Sequence, residues 1–191
     1  MRETKAQLRT AALSRRDALG TEERAAAAEA IARRGLPVAI KSGAVVAGYS
    51  PIRNEVDPVP LMQTLAAQGA RLALPVVPAR GKSLIFRAWS RNDRLMLGPL
   101  GIPEPSPAAA ELVPDIVLVP LAAFDRAGHR IGYGAGHYDF TLAHLLHNPY
   151  INPARLRRSS GAIYPRGLID PSGNCPWPGP WTWAYGAHLL S

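Results

Sequence analysis

One cysteine, Cys175, is all the thiol the chain carries, so no internal disulfide can form, and no Cys/His cluster has the spacing of a zinc site. No apolar run approaches the roughly 20 residues that a membrane-spanning helix requires. The longest, such as Ile116–Ala123, is interrupted by Pro120. No basic start leads into an apolar stretch with a small-residue cleavage site, and the expected home is the reducing cytoplasm. Aromatic residues are 7% of the chain and are not interleaved with basic ones as on an RNA-binding surface. Internal repeats and heptads are also missing. Acids are in the minority, 14 against 22 lysines and arginines, and the net charge of +8 suits a polyanionic small substrate such as a nucleotide or a glutamylated cofactor. With no motif to support it, nucleic acid is the minor reading.

What is present is enough for one core. The 191 residues, 47% of them apolar, suit a single compact domain. Leu8, Ala12 and Leu19 give an apolar face to a helix over Thr4–Leu19, with Lys5, Arg9 and Arg16 among its polar positions. A second helix is expected after Thr21 as cap, ending near Arg34 before Gly35 and Pro37. Ala44–Tyr49, Arg71–Val77, Leu84–Trp89 and Asp115–Leu121 read as strands, and Asp57–Gln68 as a helix opened by Asp57 and Pro58. Strands alternating with helices predict an α/β class: a three-layer α/β/α domain with a mainly parallel sheet. Between Gly98 and Pro114 lie five prolines, so that stretch reads as a stiffened surface loop bordering a site.

The densest chemistry lies in 125–139, between a buried-strand pattern and the helical pattern Phe140–Leu146. Gly132, Gly134 and Gly136 let backbone amides approach a ligand closely, and the helix that follows presents its positive end to anions. Arg130 adds a charge-assisted donor, and Asp139 puts a carboxylate where it can hold Mg²⁺ beside phosphate oxygens. Taken alone, the loop reads equally well as a glycine-rich turn with Asp139 as helix cap. Its spacing is neither a Walker loop nor a dinucleotide fingerprint.

Four motifs in order give it context. Lys5-x-x-Leu8-Arg9 with Arg16, then Asn54-Glu55-Val56-Asp57, then Gly98 to Pro105 with Gly101 and Glu104, and then Gly132-Tyr-Gly-Ala-Gly136-His-Tyr138-Asp139 together resemble the 5-formyltetrahydrofolate cyclo-ligase family. The resemblance covers about residues 3–145. It implies ATP- and Mg²⁺-dependent cyclisation of 5-formyltetrahydrofolate to 5,10-methenyltetrahydrofolate, with release of ADP and phosphate. By the same resemblance, ATP is bound by Lys5, Arg9, Arg130, Gly132, Tyr133, Gly134, Ala135, Gly136, His137 and Tyr138. Arg130 and Tyr138 act at the reacting centre, and Asp139 ligates Mg²⁺. Glu55, Trp89 and His137 contact the folate, with Phe86 a further stacking candidate; aromatics on a strand are otherwise core residues. Ala135 and His137 depart from the family pattern, where a basic or polar residue and Tyr are usual.

Residues 146–191 do not continue the pattern. They hold seven of the 19 prolines, three of the four tryptophans, and Asp170 as sole acid beside four arginines. No strand or helix period is expected there. A divergent terminus, a partner-binding arm and a shifted reading frame are three readings, of which the frame shift is favoured; re-reading the encoding DNA decides it. The rival functions are a catalytically inactive nucleotide- or folate-binding relative and a basic nucleic-acid module.

Overall fold

The computed structural model describes residues 4–79, 81–124, 130–146 and 186–189. In chain order the elements are helices α1 (Lys5–Asp17) and α2 (Thr21–Arg34), strand β1 (Val45–Ala47), helix α3 (Val59–Ala67), strands β2 (Arg71–Val76), β3 (Ile85–Ala88), β4 (Met96–Leu97), β5 (Pro103–Glu104), β6 (Ile116–Val119), β7 (Ala123–Phe124) and β8 (Arg130–Ile131), helix α4 (His137–Leu146) and strand β9 (Gly186–Leu189).

Local chemistry sets the helix starts. A capping box opens α1, with the Thr4 hydroxyl accepting from the Gln7 amide at 3.3 Å while Gln7 Oε1 accepts from the Thr4 amide at 2.8 Å. The start of α2 corrects the expectation that Thr21 caps it. Gly20 holds the cap position, its amide donates to Glu23 Oε2 at 2.8 Å, and Thr21 is the first helical residue. Asp57 does cap, accepting from the Val59 amide at 2.9 Å, but Pro58 takes the N-cap backbone position, so α3 begins later than expected.

The main sheet has the order β3-β2-β1-β6-β9. Its three central strands run parallel, with Val45 opposite Arg71 and Ala47 opposite Val117, and both edge strands are antiparallel. The inner strands are buried on both faces, and their side chains alternate between two cores. Val46, Leu72, Leu74, Ile116 and Leu118 pack with Ala32 of α2 and Leu61, Met62 and Leu65 of α3. On the opposite face, Val45, Ala47, Ala73, Val117 and Val119 pack with Leu142 and Leu145 of α4. This is the expected three-layer arrangement.

Two expectations change. The proline-rich stretch is not wholly a loop, because Met96–Leu97 and Pro103–Glu104 pair as a short antiparallel ladder. A strand was not expected after residue 146, yet Gly186–Leu189 lies along β6, pairing Leu189 with Ile116 and Gly186 with Val119. A four-residue edge strand carries too little period to read against the surrounding sequence. The expectation of a divergent or frame-shifted tail otherwise falls outside the described residues. Among those described, no helix is long and apolar enough to cross a membrane.

Candidate functional site

Parallel strands send their chain exits to one edge of a sheet, and ligands of open α/β sheets bind outside those carboxyl ends. A cleft of about 340 Å³ lies there, walled by Tyr49 and Ser50 after β1, Val77 after β2, Pro120 after β6, and by Lys5, Arg9, Glu55, Glu104 and all of 130–139. Of the residues expected to carry function, the structure therefore brings Lys5, Arg9, Glu55, Arg130, Gly132, Tyr133, Gly134, Ala135, Gly136, His137, Tyr138 and Asp139 to one cavity.

The 132–136 loop owes its shape to two glycines with positive φ, Gly134 at 99° and Gly136 at 74°, a conformation that strains any L side chain. From the loop the chain enters α4, whose first turn carries Asp139. Arg9 Nε donates to the Gly132 carbonyl at 2.7 Å, so α1 grips the loop from across the cleft. Arg130 and Asp139 form an ion pair that joins the loop's two ends. His137 is buried, with Nδ1 3.3 Å from the Lys82 carbonyl, and its own carbonyl accepts from Thr141 Oγ1 at 2.7 Å. The ring that replaces the family's usual Tyr is thus held against the backbone as well as lining the cleft.

A second group of contacts surrounds Glu55. Ile52 donates its amide to Glu55 Oε2 at 2.8 Å, and the Tyr133 side chain lines the cleft beside the same carboxylate. Arg16 donates to the Tyr133 hydroxyl and also places its guanidinium 5.6 Å from the Tyr133 ring centroid. Arg16 is only 4% exposed and pairs with Asp17 at 2.9 Å, while Asn54 donates to Asp17 at 3.2 Å. Burial pushes the Glu55 carboxyl above its usual range, opposed by the Ile52 amide, the Tyr133 hydroxyl and the nearby Arg16 and Arg53. The Arg16 hydrogen bond holds the Asp17 carboxyl below its usual range. Burial also drives the hydroxyls of Tyr133 and Tyr138 far above the ordinary phenol range, so both stay protonated and act as neutral donors.

Glu104 was part of a recognised motif without an assigned role. It is 6% exposed, lines the cleft, and accepts from the Val77 amide at 3.0 Å, tying the proline-rich segment to the exit of β2. It fits because residue 98 is glycine: a Cβ there would overlap the Glu104 carboxyl. The signal available in sequence was a glycine, Gly98, six residues before an acid across a Gly/Pro-rich turn, which spacing alone does not resolve. Gly98→Ala is expected to displace that carboxyl, strip the Val77 amide of its acceptor, and destabilise the fold by about 1–3 kcal/mol. Urea unfolding of the variant checks it, and an unchanged midpoint would show that the segment adjusts freely.

Trp89 is a correction. Instead of reaching the cleft it is 7% exposed within the core against α2 and α3, and its indole Nε1 has no hydrogen-bond partner among the described residues. Phe86 is likewise core, on the α4 face. β3 runs antiparallel to β2, so Leu84, just before its start, meets the cleft, while Trp89, whose amide donates to the Leu72 carbonyl, lies at the opposite edge of the sheet. Phe86 points from the strand into the α4-side core.

Asp139 suits a hydrated Mg²⁺ rather than a metal held by protein alone. Its side chain is 74% exposed at the mouth of the loop, and no group of three His, Cys, Asp or Glu gathers around a metal position among the described residues. Mg²⁺ is commonly held by one or two carboxylates, with water and substrate phosphates completing its shell.

The model of the 5-formyltetrahydrofolate cyclo-ligase family matches residues 1–156, past the span of 3–145 read from the motifs. The 5-formyltetrahydrofolate cyclo-ligase of Mycolicibacterium smegmatis is 40% identical over 150 residues, covering 74% of this chain and 76% of that protein. The Escherichia coli K12 protein of the same name is 35% identical over 107 residues, 53% of this chain and 59% of the other. Among solved structures, the 5,10-methenyltetrahydrofolate synthetase of Aquifex aeolicus superposes with a TM-score of 0.61 at 34% identity, covering 73% of this chain and 72% of that one. That of Mycoplasma pneumoniae shares the fold at a TM-score of 0.54 and 23% identity, with 76% and 81% covered.

Proposed function

We propose that this chain, which belongs to the 5-formyltetrahydrofolate cyclo-ligase family, a family of ligases, converts 5-formyltetrahydrofolate to 5,10-methenyltetrahydrofolate with Mg²⁺ and ATP, releasing ADP and phosphate. The observation that carries the reading is the convergence of Lys5, Arg9, Arg130, the 132–136 loop and Glu55 on one cleft.

A formamide oxygen is a poor leaving group. It therefore takes the γ-phosphoryl group of ATP, folate nitrogen 10 attacks the formyl carbon, and phosphate departs as the ring closes. In this reading the protein positions its two substrates and neutralises developing charge. Lys5 and Arg9 present cations from α1 to the ATP phosphates, and the amides of 132–136 with the start of α4 surround them. Arg130 stands at the transferring group, and Tyr138, protonated throughout the working range, offers a neutral donor beside it. Glu55 accepts from the N–H donors of the pterin. Asp139 holds Mg²⁺, which when bound neutralises charge on the phosphate oxygens.

The match to the family model ends at residue 156, and this favours an inactive nucleotide- and folate-binding relative as second reading. Incubation of the chain with 5-formyltetrahydrofolate and Mg-ATP, following methenyltetrahydrofolate absorbance and phosphate release, tests the first. Product formed in step with phosphate supports the enzyme. Binding of both substrates without product supports the inactive relative, and binding of neither removes both readings.

A further inference from the structure

Arg16 is a buried cation without an assigned role. It reaches out of α1, donates to the Tyr133 hydroxyl, and lies near the Tyr133 ring. Tyr133 in turn belongs to the glycine loop and lines the cleft together with Glu55, while Arg16 pairs with Asp17, which accepts from Asn54 beside Glu55 at 3.2 Å. Arg16 therefore joins three elements: the first helix, the loop read as the phosphate cradle, and the turn bearing the acid read as the folate acceptor. The other charged and titratable groups facing Glu55 are Arg53 and Tyr138.

We propose that Arg16 and Tyr133 are positioning residues that couple the two halves of the cleft, so that occupancy of the 132–136 loop by a nucleoside triphosphate fixes the Glu55 carboxylate for the folate. The inference rests on the ATP and folate subsites set out above and adds a link between them. The physical warrant is geometric. The loop is built on two positive-φ glycines, and the free backbone is held from α1 at the Gly132 carbonyl by Arg9 and at the Tyr133 hydroxyl by Arg16. Phosphates that fix the loop also fix the hydroxyl that Arg16 holds, and with it the Arg16–Asp17–Asn54 contacts that lead to the Glu55 turn. A carboxylate already oriented loses less freedom when it captures a ligand, so the folate binds tighter with nucleotide in place than it does alone. By linkage the folate must tighten the nucleotide by the same factor.

The test is calorimetric titration of the full chain with 5-formyltetrahydrofolate, with and without a saturating non-hydrolysable ATP analogue and Mg²⁺. In the parent chain the analogue is expected to tighten folate binding by about tenfold, within the usual range of such couplings. Tyr133→Phe removes only the hydroxyl and should reduce that factor to below about twofold. Arg16→Lys keeps a charge but not the guanidinium fork, and should reduce it partway. A purely structural role for the pair predicts that both affinities fall together while their ratio stays intact, and that result overturns the proposal. So does independent binding in the parent chain, which leaves the proposed function standing. If Tyr133→Phe does not fold, as seen by its melting curve, the ratio in Arg16→Lys decides alone. Failure of the parent chain to bind either ligand removes the function and the coupling together.

Discussion

Replacing Lys5 and Arg9 together by methionine is expected to weaken ATP binding by about 100-fold or more, the order given by losing two charge-assisted contacts worth about 1.5–3 kcal/mol each. Four residues apart on α1, the two cations rise from one face of the helix, and both line the cleft. The two do not contribute alike. Arg9 also holds the Gly132 carbonyl at 2.7 Å, so Arg9→Met alone should loosen the loop as well as remove a charge, whereas Lys5→Met removes only a charge. Calorimetry with Mg-ATP on the three variants reads both effects, with the Arg9 single variant weaker than the Lys5 one. Unchanged affinity in the double variant would reduce α1 to a packing element.

The second large effect belongs to Asp139. In the bland account it belongs to the first turn of α4 and pairs with Arg130, and a pair whose acid is 74% exposed contributes at most about 1 kcal/mol. Asn suits a helix start nearly as well as Asp, so Asp139→Asn should barely move the melting temperature under either account. Turnover separates the two. As the Mg²⁺ ligand, Asp139 cannot be replaced by a neutral amide, and Mg-ATP-dependent turnover should fall by about 100-fold or more, with partial recovery at excess Mg²⁺. Given an active parent chain, parental turnover in the variant at low Mg²⁺ excludes the ligand role. The melting curve and the Mg²⁺ titration belong on the same preparation, so that a fold defect is not mistaken for a metal defect.

Much of this was legible before any coordinates. Helix ends marked by Gly35 and Pro58, apolar strand runs bounded by turns, and the alternation of the two element types fixed the layers, because each is a local signal of period or capping. The glycine loop was visible as a local signal but ambiguous alone; Lys5, Arg9 and Glu55 were singled out by the resemblance of four motifs to the family. What was hidden is what only tertiary contact decides. Trp89 reads as a stacking surface in isolation, but the antiparallel direction of β3 carries it to the edge of the sheet away from the cleft, where it packs in the core. Arg16 reads only as a polar position of the first helix within a motif, yet the fold buries it against Tyr133, a residue 117 positions away. Glu104 gains its place from the missing side chain of Gly98 and from the Val77 amide beyond the end of β2, which donates to it; neither has a periodic signature.

The grip of α1 on the glycine loop also says something about the order in which the molecule is made. The sheet's parallel centre joins β1 to β2 and β6 without any help from α1, while the bond from Arg9 to Gly132 spans 123 residues of sequence. Closing so long a segment costs conformational entropy before either contact returns anything, which places such pairings late in folding. The cleft is therefore expected to mature late, and α1 to detach early when the native state opens. Hydrogen exchange should find the amides of Lys5–Asp17 opening with less free energy than those of Ile116–Val119, and nucleotide should slow exchange most in the former.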